Sequence, residues 1–74
     1  MIRTAYKPYP GSNVGQIIAT AAGRQAMRRV EQSQSSDTNH LMAAVRLADR
    51  LGVRVVAEVE SNDAGTVRRF SVVD

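Results

Sequence analysis

No cysteine occurs anywhere in this 74-residue chain. No disulfide can staple it and no thiolate can hold a metal, so it must be held together by packing, or by a copy or partner. A chain this short lies where one hydrophobic core is only just sufficient, which confines it to a single domain.

Hydrophobic periodicity divides the domain into segments. Residues 1–12 read as an N-terminal arm or short strand. Ile2, Thr4 and Tyr6 alternate with Arg3, Ala5 and Lys7, and Pro8 and Pro10 end the pattern because neither can donate to a ladder. Tyr9-Pro10-Gly11-Ser12 predicts a type II turn, with proline presetting one dihedral and glycine accepting the positive one. Residues 13–34 read as a first helical segment. Asn13 with Gln16 makes a helix start, and Val14, Ile17, Ile18, Ala21 and Ala22 share a face at helical spacing. Beyond Gly23 the apolar set shifts to Ala26, Met27 and Val30. This leaves three options: a kink, two pieces, or a strand over residues 14–20.

The second half has sharper boundaries. A polar linker, Gln32 to Ser36, is the expected mobile loop. Residues 37–51 read as a second helix, capped by Ser36 or Asp37 and stopped by Gly52. Its apolar face is Leu41, Ala44, Val45, Ala48 and Leu51, with Leu47 on the flank. Residues 53–73 read as a β-hairpin. Val53, Val55, Ala57 and Val59 face inward, Arg54, Glu58 and Glu60 face outward, and a Gly65-containing turn leads to the return strand with Phe70 and Val72. The expected fold is therefore a small single α+β domain: two helical segments, a C-terminal hairpin and an optional N-terminal third strand.

Nine of the ten basic residues are arginine, and the net charge is +3. Such a balance favours anionic partners without selecting one, and arginine suits bidentate recognition of phosphate or carboxylate. Arginine-rich composition also follows from a GC-rich genome. No stretch approaches the ~18 apolar residues of a membrane span. The N-terminus lacks the apolar run of a signal peptide, so a cytoplasmic location is expected.

Catalytic chemistry is sparse. His40 is the only side chain that ordinarily titrates near neutrality, and no nucleophile stands at a recognisable spacing from it. It reads as a residue at the border of a helix face. The seven acidic residues are scattered, and neither GxGxxG nor a P-loop is present. Neither an enzyme nor a cofactor is expected. Binding candidates fall in two groups. Tyr6, Tyr9, Arg24, Arg28 and Arg29 combine the tyrosine and arginine chemistry of a protein interface. Asn39, Arg46 and Arg50, placed opposite the second helix's core, join Arg54, Arg68 and Arg69 of the hairpin as candidates for nucleic-acid contact. With only Tyr6, Tyr9 and Phe70 as aromatics, stacking on single-stranded bases is weakly provided for. Outward Val56 leaves a homodimer open.

Two resemblances bear on function. Residues 36–74, a helix followed by a basic hairpin, resemble the recognition helix and wing of winged-helix DNA-binding proteins, with two helices where those have three. The succession Ala43-Ala44, Leu51-Gly52, Val53 to Val59, Gly65 and Arg68-Arg69-Phe70-Ser71-Val72 resembles small phage-encoded regulatory proteins. That resemblance implies a non-enzymatic regulator docking on a host protein complex, RNA polymerase being the leading target. Direct binding of DNA or RNA, and inhibition of a host defence nuclease, are the alternatives.

Overall fold

The computed structural model describes residues 1–12 and 14–74. It contains one helix and five strands: β1 (Ile2–Pro8), β2 (Gly15–Ala21), β3 (Arg24–Arg29), α1 (Ser36–Leu51), β4 (Arg54–Ser61) and β5 (Val67–Val73). The strands form a single antiparallel sheet in the order β3-β2-β1-β5-β4. The expected N-terminal arm or short strand is thus the central strand. The α1 helix packs against one face of the sheet.

The expected first helical segment is a β-hairpin instead, so two helices plus a hairpin is corrected to one helix on a five-stranded sheet. Two features of the chain explain the difference. Ile17, Ile18 and Thr20 are β-branched residues at home on a pleated surface. Ala22 and Gly23 both take positive φ, 52° and 73°, and join paired Ala21 and Arg24. That is a two-residue type I′ connection, whose twist matches the strands it links. Alanine rarely adopts this conformation, so the pair is a weak turn signal in sequence. The proposed Asn13 helix start lies outside the described residues; Gln16 is in β2.

The Pro10-Gly11 turn forms as expected: Gly11 has φ 70° and Ser12 N–H donates to the Tyr9 carbonyl at 3.2 Å. Helix α1 also forms, but the N-cap is Ser35, whose hydroxyl accepts from Thr38 N–H at 3.1 Å. Gly52 ends it at φ 74°, and Val53 N–H returns to the Ala48 carbonyl. The helix is rotated from the expected face: Leu47, Ala43, Ala44 and Ala48 are buried, whereas Leu41 is 41% exposed. Leu47, Phe70 and Ile2 anchor the core with Ile17, Ala19 and Ala26, each large side chain contributing about 1.5–3 kcal/mol by leaving water.

The C-terminal hairpin forms, with a change of phase. β4 carries two register shifts, between Val55 and Ala57 and between Glu58 and Glu60. Bulges therefore eject Val56 and Val59, which are largely exposed. Val55 and Glu58 stand opposite Val72 and Phe70 on the helix side, while Ala57 and Glu60 stand opposite Ser71 and Arg69 on the other. The strict alternation expected for this strand is broken, and Glu58 turns toward the helix side.

Candidate functional site

The helix covers one face of the sheet and the other face is bare. Ile2, Thr4, Ile17, Ala19, Ala26, Arg68 and Phe70 are buried on the helix side. Their neighbours in sequence must point the opposite way. Strand register arranges those outward residues in rows. One row runs Gln25, Thr20, Arg3, Arg69, Glu60; the next runs Met27, Ile18, Ala5, Val67; the third runs Arg29, Gln16, Lys7. Arg54, opposite Val73, adds a further cation on the same face. Five cations thus share a surface with one acid.

These charges are uncompensated. Both ion pairs among the described residues belong to Arg68. Glu60 stands opposite Arg69 in the ladder without closing on it. Arg3 and Arg69 are direct cross-strand partners, an arrangement of like charges that costs stability. A shallow depression of about 170 Å³ lies between them, completed by Met1.

The candidate residues from sequence divide sharply against this geometry. Arg29, Arg54 and Arg69 reach the bare face. Tyr6 lies half-buried on the helix side, over Gly15, where an added Cβ would come within 2.7 Å of its ring. Tyr9 sits in the β1–β2 turn, and Arg24 starts β3 after the I′ turn. Arg28 points to the helix side and donates to Asn39 Oδ1 at 3.3 Å and Gln34 Oε1 at 3.5 Å. Tyr6, Tyr9, Arg24, Arg28 and Arg29 therefore do not form one patch.

The expected reading helix is not assembled either. Asn39, expected opposite the core, is buried in it. Asn39 accepts from Glu31 N–H at 2.8 Å and donates to the carbonyls of Glu31, Gln34 and Ser35. It clamps the Gln32–Ser36 linker onto the helix, so that segment is tethered rather than loose. Arg50 donates to the Gln25 carbonyl at 3.4 Å, and Arg46 is exposed on the outer side of α1. Arg68 is buried, held by Asp37, by Glu58 at 3.1 Å, by the Ser36 hydroxyl at 3.0 Å and by the Gly65 carbonyl at 3.0 Å. Burial opposes its charge, but the hydrogen bonds to Asp37 and Glu58 outweigh it and raise the guanidinium pKa above its usual value. The hairpin is the flank of a sheet, not a free wing, so the winged-helix arrangement is absent.

A second feature lies on the helix side. A cleft of about 270 Å³ opens between Tyr6, Ile17, the β3–α1 connection, the start of α1 and the Ala64–Thr66 turn. His40 lines it. Expected at a helix border, His40 is in fact 1% exposed, with Nδ1 2.7 Å from the Thr4 hydroxyl. Burial, assisted by the Arg68 charge, pushes its pKa from 6.5 down to about 4, so the ring is neutral at pH 7. Thr4 is fully buried, so its hydroxyl cannot meet a substrate. The nearby acids Asp37 and Glu58 are engaged with Arg68 and do not orient the imidazole for proton transfer.

No family model, curated protein or solved structure matches this chain.

Chemistry must therefore be read from the residues alone. Among the described residues, no group of three or more histidine, aspartate or glutamate side chains could hold a metal ion. Among the described residues, no helix is long and apolar enough to cross a membrane. The bare face offers electrostatic and apolar contact. Arg3 and Lys7 belong to it and were not among the candidates from sequence. The signal for them was their alternation with Ile2, Thr4 and Tyr6.

Proposed function

We propose that this chain is a non-enzymatic binding protein whose uncovered sheet face docks on an acidic surface of a larger protein assembly. The assembly the phage-protein resemblance implies is a host machine of gene expression, with RNA polymerase the leading target. One observation carries the reading: among the described residues, Arg3, Lys7, Arg29, Arg54 and Arg69 stand without an ion-pair partner on a bare face with Glu60 as the lone acid. Two copies stacked through this face would oppose like charges, which favours a partner of other composition over a homodimer there. The apolar middle row, Met27 to Val67, favours protein over bare phosphate.

A second reading rests on the Arg3–Arg69 pair. Two guanidinium groups side by side suit phosphate oxygens, so nucleic-acid backbone is the competing partner. Affinity capture from bacterial lysate separates the two. The tagged chain and an Arg3→Glu/Arg29→Glu/Arg69→Glu variant are compared, each with and without nuclease. The docking reading expects a stoichiometric protein that survives nuclease and is lost with the triple variant. Equal recovery by both chains would remove the sheet face from consideration. Recovery abolished by nuclease would transfer the face to nucleic acid.

A further inference from the structure

The bare face has a shape as well as a charge, and its spacing selects a kind of partner. Along β1 the Arg3 row and the Lys7 row are four residues apart, which is about 13–14 Å at the rise of an antiparallel strand. The apolar row of Met27, Ile18, Ala5 and Val67 runs midway between them. It crosses four strands, a length of about 14 Å at the usual strand spacing. An α-helix with its side chains is about 10–12 Å wide, and about ten residues of it cover 14 Å.

We infer that the segment received by this face is an acidic amphipathic helix of the partner protein, laid along the Met27–Ile18–Ala5–Val67 row with carboxylates on both flanks. The inference rests on the docking reading above. Small Ala5 at the centre of the row lets a helix approach closely, while Ile18 and half-exposed Met27 supply apolar contact. Acids on one flank meet Arg3 and Arg69; acids on the other meet Lys7 and Arg29. A helix reaches both flanks at once, because residues on either side of its apolar stripe diverge by its full width. An extended strand presents side chains on two opposite faces only, and a nucleic-acid backbone has no use for the apolar row.

The test uses two synthetic helical peptides of identical composition, about four turns long. In one, leucines form a single stripe flanked by glutamates; in the other, the same residues are permuted around the helix. A random-sequence DNA duplex is the third probe. Each is titrated into the full chain and followed by amide NMR shifts. The striped peptide is expected to bind at least about tenfold tighter than the permuted one, a difference near 1.4 kcal/mol. Its shifts should centre on Ala5, Ile18, Met27 and Val67. Ile18→Asp should remove that preference; Met27→Glu, at an exposed edge position, checks the same point with less risk to folding.

Equal affinity for both peptides, or failure of the striped peptide to bind at millimolar concentration, overturns the helix inference and leaves acidic docking to the capture experiment. Duplex binding that falls steeply with salt, with no peptide binding, overturns the docking reading as well. Shifts centred on α1 or on the His40 cleft do the same.

Discussion

Arg68 and Arg69 are adjacent in sequence and have opposite fates. Arg68 points to the covered side of the sheet, where Asp37, Glu58, Ser36 and the Gly65 carbonyl satisfy it. Arg69 points to the bare side beside Arg3, with no ion-pair partner among the described residues. On the covered face even polar groups are fully spent, and no buried side-chain nitrogen or oxygen is left without a hydrogen bond among the described residues. On the bare face no charge has an ion-pair partner among the described residues. Composition treats the two arginines alike. The strand's two-residue period, once the helix chooses a side, makes one part of the architecture and leaves the other free to bind.

The contrast can be broken first at Arg68. Arg68→Met keeps the stem but removes the hydrogen bonds to the Gly65 carbonyl, Glu58 and the Ser36 hydroxyl, and should cost about 2–3 kcal/mol in urea unfolding. A loss below half of that would mean the network adds little to stability. Asn39→Ala removes the clamp on the β3–α1 connection and leaves the Glu31 amide without its partner. A cost of about 2 kcal/mol is expected, with faster amide exchange confined to residues 31–35. Exchange unchanged there would show the linker is held by something else.

Acid should sharpen the comparison. The His40 pKa is depressed from 6.5 to about 4 in the fold, so below pH 6.5 the unfolded chain takes up a proton that the folded chain refuses. Stability is whole above pH 6.5, declines as pH falls from 6.5 to 4, and loses nothing further from this group below that. The total is roughly 2 kcal/mol after allowance for solvent in the cleft. Asp37, held below its usual pKa by the Arg68 hydrogen bond and charge, adds a further loss at lower pH in the same direction. His40→Gln should flatten the pH 4–6.5 portion; a slope that survives the substitution would assign it elsewhere. The smallest effect belongs to the bare face. Arg69→Met should change stability by less than about 0.5 kcal/mol, with any change favourable because a like-charge pair is relieved. A large loss there would mean that the face is not idle in the free protein.

Legibility in the sequence followed local chemistry. The end of α1, the Pro10-Gly11 turn and the β4–β5 hairpin each carry their own signals, in Gly52, proline with glycine, and a valine-rich run, whereas the helix start is read late, at Ser36 or Asp37, because Ser35, Ser36 and Asp37 are all capping residues. The β2–β3 hairpin did not announce itself, because Ala19, Ala21 and Ala22 suit a helix as well as a strand and alanine occupies a positive-φ turn position. The rotation of α1 is hidden in the sequence because buried Asn39 and His40 look like surface residues until their partners, Glu31 and Thr4, are brought close by folding. The bare face is half visible in the sequence. Arg3, Ala5 and Lys7 alternate openly, but that this side of β1 would be the uncovered one depends on β5 pairing beside it and on which face α1 takes.

The two bulges of β4 have a consequence for the molecule in a crowd. An outermost strand eight residues long and rich in valine is a template on which another chain can add its own strand, and repeated addition builds fibrils. Ejecting Val56 and Val59 interrupts the run of evenly spaced backbone donors and acceptors along that border. A newcomer can match only a few residues before its spacing falls out of step. The irregularity that hides the strand's inward and outward pattern also works as a guard against unwanted polymerisation.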